Sequence, residues 1–207
     1  MTLKSPHKWV IGLTGVILSG KSTALDFFKQ NGAKVLSADT IVADLYNNPA
    51  VCMKLVRELG TADKTILTKI IFNDPQKREK LENLLHPLAL KEMRRQIKTT
   101  QEKLIVCEVP LLFEAGWDKY VNMTLMVCAD KKSLPERLKG RKMLRAEYVR
   151  RLKCQLPELE KCKRADVVFF HTSKTDLGLK VKRLCQAFDL LNNRSNHARK
   201  SCAGKKR

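Results

Sequence analysis

Gly15-Val16-Ile17-Leu18-Ser19-Gly20-Lys21-Ser22 follows the pattern G-x-x-x-x-G-K-[ST], a loop whose backbone N–H groups cradle phosphates. Its flanks fit that reading. Residues 9–14 (WVIGLT) form a short apolar run that reads as a buried strand. Residues 22–30 read as a helix with Ala24, Leu25 and Phe28 on one stripe. A strand, a glycine loop and a helix N-terminus bring N–H groups and the positive end of a helix dipole to one point. In such a loop Lys21 reaches the β- and γ-phosphates and the Ser22 hydroxyl ligates Mg²⁺. A chance match in a glycine-bearing turn would lack the strand before and the helix after.

Outward from the loop, strands and helices alternate. Further short runs rich in Val and Ile lie at 33–37, 104–109, 123–128 and 167–170. Consecutive apolar positions in runs this short mark strands covered on both faces of a parallel sheet. Helical patterns fill 40–45, 50–59, 65–72, 75–99, 133–141, 145–162 and 177–190. The pattern predicts a three-layer α/β/α domain over 1–192, with a five-stranded parallel sheet and right-handed crossovers. A helices-only stretch at about 50–100 reads as an insertion between the second and third strands. Ligands of such sheets bind at the carboxyl ends of the strands, where the loop, Asp39 and residues 110–114 fall.

The 207 residues carry 41 Lys and Arg against 21 Asp and Glu, a formal charge of +20. That excess attracts polyanions but brings no nucleic-acid recognition motif, so no specific nucleic-acid partner is expected. Part of it lies in residues 193–207, a basic stretch poor in apolar residues that reads as a disordered tail. No apolar run approaches the ~20 residues that span a bilayer, and residues 1–8 are followed by no signal-peptide core. Seven cysteines without C-x-x-C pairs read as free thiols in a reducing cytoplasm. The four histidines, His7, His86, His171 and His197, show no metal-ligand spacing.

Several side chains could carry chemistry. Asp39, just after the second strand, either accepts a proton from an attacking hydroxyl or caps the helix that follows. Glu108 and Glu114 flank the Pro110-Leu111-Leu112-Phe113 turn. Glu114 lies beyond the strand end and is the better candidate for a substrate hydroxyl or a Mg²⁺-bound water; Glu108 reads as buried against a cation. Arg137, Arg141, Arg145, Arg150 and Arg151 gather in one helix–loop–helix stretch, with Arg137 and Arg141 on one helix face. Such a cluster forms either a solvated surface or a lid over phosphates. His86 before Pro87 reads as a cap or a packed ring, and Trp117 and Tyr120 read as packing under the Glu114 loop.

Taken together, the order of short motifs resembles the dephospho-coenzyme A kinase family, from about residue 10 to 188. Ile11-Gly12-Leu13-Thr14-Gly15 runs into Ser19-Gly20-Lys21-Ser22-Thr23; Ser37-Ala38-Asp39 follows, then Ile71-Phe72 with Arg78 and Leu81, and Leu85-His86-Pro87. Val109-Pro110-Leu111-Leu112-Phe113-Glu114, Arg137-Leu138 with Arg141, Arg151 with Gln155, and Ala165-Asp166 complete the series. The resemblance implies a P-loop kinase fold with a helical substrate-binding insertion and a lid at about 137–155. It implies ATP·Mg²⁺-dependent phosphorylation of the ribose 3′-hydroxyl of dephospho-coenzyme A, by a cytoplasmic monomer or weak homo-oligomer. Nucleotide binding falls on Gly15, Val16, Ile17, Leu18, Ser19, Gly20, Lys21, Ser22 and Thr23, with Ser22 on the metal. Asp39, Lys21, Arg137 and Arg141 become catalytic, and Thr14, Asp39, His86, Leu111 and Glu114 face the acceptor.

The chain departs from the family where its loop usually reads Gly-Gly-x-Gly-Ser-Gly-Lys-Ser. Val16 and Leu18 replace two glycines, and a side chain forced to positive φ there carries strain of about 1–3 kcal/mol. Ser37, Leu134 and His171 stand where Asp, Gln and Asn are common, Lys64 replaces a common Arg, and the stretch from 46 to 64 is shorter than usual. Two rival readings are a kinase acting on another nucleoside or nucleotide, and a catalytically weak P-loop protein that binds RNA or other polyanions.

Overall fold

A computed structural model describes residues 2–5 and 8–203; the side chains of residues 72, 73 and 193–203 lie outside that description. Strand β1 (Trp9–Thr14) is the centre of the sheet. β3 (Leu104–Glu108) and β4 (Met123–Ala129) pair with it in parallel on either side, and β2 (Lys34–Ser37) and β5 (Val167–His171) form the edges, giving the order β2-β3-β1-β4-β5. Leu13 lies opposite Glu108 on one side and Leu125 on the other, so β1 and β3 end together where the phosphate loop begins, while β4 runs on beside the loop to Ala129.

The inner strands β1, β3 and β4 are covered on both faces, which is why they read as unbroken apolar runs; the edge strand β5, expected to be buried as well, leaves Val168 and Phe170 exposed on one face. Ile11 and Leu13 point to one side, against α1 (Lys21–Gln30) and α9 (Lys174–Ala203), where Phe28, Leu177 and Val181 are buried. Val10 points to the other side, against Ile41 of α2 (Ala38–Leu45) and Met93 and Ile97 of α5 (Pro75–Thr99). Ala89 and Leu90 of α5 belong to this main core, whereas its Leu81 and Leu85 join Val51, Leu55, Leu59 and Leu67 in a second one. That second core holds the insertion, built from α3 (Pro49–Leu59), α4 (Lys64–Asn73) and the front of α5. Its helices begin where the side chains of Asn48, Asp63 and Asp74 accept hydrogen bonds from first-turn N–H groups, with proline at the first position of α3 and α5.

Three expectations change. The pattern over 145–162 is two helices, α7 (Arg145–Lys153) and α8 (Glu158–Arg164), preceded by α6 (Leu134–Gly140). Pro157 disfavours helix at Leu156, and the break is fixed because the Leu156 N–H donates to Glu114 Oε1 at 2.8 Å. Helix α2 starts at Ala38 with Ser37 as its cap residue, so Asp39 sits inside the first turn and is not the N-cap. The stretch expected to be a disordered tail, 193–207, is helical as far as Ala203; its side chains and residues 204–207 lie outside the described residues.

Asp166 locks the register of the edge strand β5 against β4. Its carboxylate accepts from the Thr124 N–H and hydroxyl, both at 2.7 Å, and its own N–H donates back to Thr124 Oγ1 at 2.9 Å. Asp166→Ala leaves the buried Thr124 N–H without that partner, which costs about 1–3 kcal/mol. The urea midpoint should fall with the slope unchanged, and Asp166→Asn, which keeps an acceptor, should lose less.

Candidate active site

Glycine is required at both ends of the phosphate loop. A Cβ on Gly15 would collide with Ser19 Oγ and with the Val127 carbonyl oxygen at 2.7 Å. At Gly20, φ is +98° and a Cβ would meet His171 Nε2 at 2.7 Å. Between them the two substituted positions behave differently. Val16 keeps negative φ and is buried, its side chain packed on Met126 and Cys128 away from the cleft. Leu18 takes φ +63°, the left-handed region that costs a non-glycine residue about 1–2 kcal/mol.

The loop is held from outside as well as by its own turns. The Ile17 N–H donates to Gln155 Oε1 at 3.2 Å, Arg137 Nη1 donates to the Leu18 carbonyl at 2.8 Å, and His171 Nε2 lies 2.9 Å from the Ser19 carbonyl oxygen. Lys21 Nζ folds back to donate to the carbonyls of Gly15 and Val16 at 2.8 and 3.0 Å. Helix α1 begins at Lys21 with no side-chain cap, so its first N–H groups point at the loop unclaimed by a cap. The buried Ser19 Oγ and His171 Nδ1 also lack a hydrogen-bond partner among the described residues. A glycine-walled cradle, an uncapped helix start and a lysine on a short tether fit the phosphates of a nucleotide.

The loop opens into a cleft of about 920 Å³ bounded by the insertion, the loop after β3 and the α6–α7 lid, at the upper end of the range for small-molecule sites. Lys21, Ser22, Thr23, Asp39, Leu111, Arg137 and Arg141 line it as expected, together with Ile17, Leu18, Ser19 and Gly20. Burial pushes the Lys21 ammonium down to about 8, opposed first by the nearby Glu108 carboxylate. Asp39 is pushed up by burial and pulled back by Lys21 and Lys64, and Glu108 is likewise pushed up by burial and pulled back by Lys21. Two carboxylates therefore share one buried cation at the end of β1.

Glu108, ranked below Glu114 from the sequence, is the carboxylate that lines the cleft. Glu114 instead pairs with the fully buried Lys161 at 2.8 Å, and Lys161 Nζ also donates to the Pro110 carbonyl at 2.7 Å. The Thr14 hydroxyl donates to that same carbonyl at 3.1 Å, so Thr14 and Glu114 shape the loop after β3 and are not among the residues lining the cleft. His86 packs its ring on Trp117 at 5.9 Å, outside the cleft lining, and burial lowers its pKa. Ile71 and Arg78 of the insertion, Arg151 and Gln155 of the lid, and His171, all positions that the family pattern marks without a site role, also line the cleft, and the structure adds Met143 and Lys174.

A family model described as Dephospho-CoA kinase matches residues 9–176. The chain belongs to the dephospho-CoA kinase family. A dephospho-CoA kinase of Lactobacillus johnsonii is 37% identical over 192 residues, covering 86% of this chain and 97% of that protein; one of Fusobacterium nucleatum is 34% identical over 187 residues with the same coverage. Among solved structures, TT1252 from Thermus thermophilus superposes with a TM-score of 0.79 at 31% identity, covering 87% of this chain and 97% of that one. The dephospho-CoA kinase from Campylobacter jejuni gives 0.64 at 25%, covering 88% and 98%. A shikimate kinase from Acinetobacter baumannii, at 14% identity and a TM-score of 0.52 over 88% and 96%, shares the fold. Family membership makes the chain an ATP-dependent phosphotransferase, and the expected fold of five parallel strands between helices is the one observed.

Phosphates favour the ammonium form of Lys21, whose pKa burial lowers to about 8. ATP affinity should be full below that pH and fall as pH rises through it, and binding should take up protons at about pH 8.5 and almost none at about pH 6.5. Calorimetry in buffers of different ionisation enthalpy reads this directly; equal proton counts at both pH values would contradict it. Leu18→Gly should stabilise the fold by about 0.5–1 kcal/mol, since relief of the left-handed strain exceeds the added freedom of the unfolded chain. Leu18→Ala keeps its Cβ and should show no such gain in urea unfolding.

Proposed function

We propose that this chain transfers the γ-phosphoryl group of ATP to the ribose 3′-hydroxyl of dephospho-CoA, with Asp39 as the general base. The observation that supports this most is the placement of Asp39. It stands on the first turn of α2, across the cleft from the phosphate loop and beside the insertion. A hydroxyl held against Asp39 lies between the nucleotide site and the helices that would grip the rest of the acceptor. Burial makes the carboxylate more basic than usual, with Lys21 opposing that rise, which suits a group that must accept a proton as the bond to phosphorus forms.

Lys21, Arg137 and Arg141 would stabilise the charge spread over the transferred group, and Arg137 is already braced against the loop through Leu18. Mg²⁺ fits the same end of the sheet: the Ser22 hydroxyl would ligate it and Glu108 would hold a metal-bound water, and the ion would neutralise charge on the phosphates. On the acceptor side, Arg78, Ile71 and Leu111 offer a cation and apolar wall in one cleft, a match for a phosphate-bearing molecule with a long uncharged arm. We place the activity in the cytoplasm, since the six described cysteines are free thiols. No helix among the described residues is long and apolar enough to cross a membrane.

Asp39→Asn preserves shape and removes the base. Its kcat should fall about 100-fold or more, while ATP dissociation constants stay within about threefold of the parent. A kcat within tenfold of the parent would reject Asp39 as the base.

A further inference from the structure

Beneath the phosphate loop, on the side away from the cleft, two thiols face each other. Cys128, near the end of β4, and Cys162, in the middle of α8, have their sulfurs 3.3 Å apart. The other described thiols are placed differently. Cys52 and Cys154 donate to the carbonyls of Tyr46 and Arg150, and Cys107 and Cys185 are buried in the cores on opposite faces of the sheet. Cys128 and Cys162 also touch the loop, because Val16, Met126, Cys128 and Cys162 pack as one cluster. We propose that Cys128 and Cys162 are a modification site, a dithiol that low-molecular-weight disulfides convert to an intramolecular disulfide, and that this bond loosens the grip of the phosphate loop on ATP.

The chemistry divides between the two thiols. Cys162 is only partly buried and is the one of the pair that an oxidant reaches first, whereas Cys128 is buried. Burial pushes the Cys128 thiol up, and the neighbouring Cys162 and Glu158 add to that, so Cys128 is the weaker nucleophile. With glutathione disulfide as oxidant, the Cys162 thiolate attacks one sulfur; the glutathione S–S bond breaks, a mixed disulfide forms, and one glutathione leaves as thiolate. Cys128 then gives up its proton and attacks the Cys162 sulfur, expelling the second glutathione. Two protein thiols lose two electrons and two protons, and one glutathione disulfide becomes two glutathione thiols.

The geometry supplies the consequence. The sulfurs must close from 3.3 Å to a bond of about 2.05 Å. Helix α8 is seven residues long, and the residue beside Cys162 is Lys161, which clamps the Pro110 carbonyl and Glu114. On the strand side, Val16 rests on the pair, and its carbonyl is one of the two that hold Lys21. A pull between β4 and α8 therefore acts on the segment that carries the loop.

The test uses the whole chain with excess glutathione disulfide, read by intact mass, peptide mapping and ATP binding, which does not depend on the acceptor. The protein should lose the mass of two hydrogens, with the peptides containing Cys128 and Cys162 linked. Its ATP dissociation constant should rise about three- to tenfold, the equivalent of one loop hydrogen bond. Dithiothreitol should reverse both changes. Cys162→Ser, at a partly buried position, should fold, show no link, and keep its ATP affinity in the oxidant. Free thiols throughout in the folded protein, or a glutathione retained on Cys162, would overturn the site. A complete link with unchanged ATP affinity would overturn its coupling to the loop.

Discussion

A lysine that must stay charged while most of its water is removed sets the terms for this molecule. Lys21 begins helix α1 at the end of the central strand, and burial there lowers its pKa to about 8. The surroundings answer that cost. Two loop carbonyls accept hydrogen bonds from it, Glu108 approaches from β3, and Asp39 approaches from α2. The strand order brings those three elements together, since β3 lies between β1 and β2 and the helix after β2 must start beside it. The same carboxylates that make the buried ammonium tolerable are the groups a phosphoryl transfer would use, so electrostatic support and chemistry are one arrangement.

The phosphate loop shows how that arrangement survives a changed sequence. Its cradle depends on Gly15 and Gly20, where neighbouring backbone and His171 leave no room for a Cβ. The inner positions are freer. Val16 turns inward and gains a core contact, and Leu18 accepts left-handed strain while Arg137 bonds its carbonyl. Bulk at Val16 is thus taken into the core, and both bulk and strain are admitted at Leu18, which lines the cleft and is tied to the lid.

Much of this was legible in the sequence because it rests on local pattern. The unbroken apolar runs marked the five strands, though β5 at the edge leaves Val168 and Phe170 exposed, and the loop motif between a strand and a helix marked the site. Asp39 was placed at the cleft by its position after the second strand alone. What could not be read depends on contacts distant in the chain. Pro157 sits inside an otherwise helical pattern, and the break it makes is fixed by Glu114, 42 residues away from Leu156. Glu108 and Glu114 are alike as residues, and the choice between them depends on how the chain turns after β3. The signal that could have found Glu108 is its place as the last residue of the strand paired with β1. Lys161 lies in a basic run with Lys163 and Arg164 and nothing local sets it apart, yet it is fully buried against Pro110 and Glu114. The His86 and Thr14 positions likewise matched the family pattern while their side chains serve packing and loop geometry.

The most direct measurement is the fate of the γ-phosphoryl group. The chain would be incubated with ATP, Mg²⁺ and dephospho-CoA, with AMP substituted for dephospho-CoA in a parallel reaction, and the products identified by mass and by the position of the new phosphate. An acceptor placed between Asp39 and the insertion predicts CoA, phosphorylated at the ribose 3′-oxygen, formed only when both substrates are present, and no product from AMP. Hydrolysis of ATP without phosphorylated dephospho-CoA, or equal transfer to AMP, would contradict it.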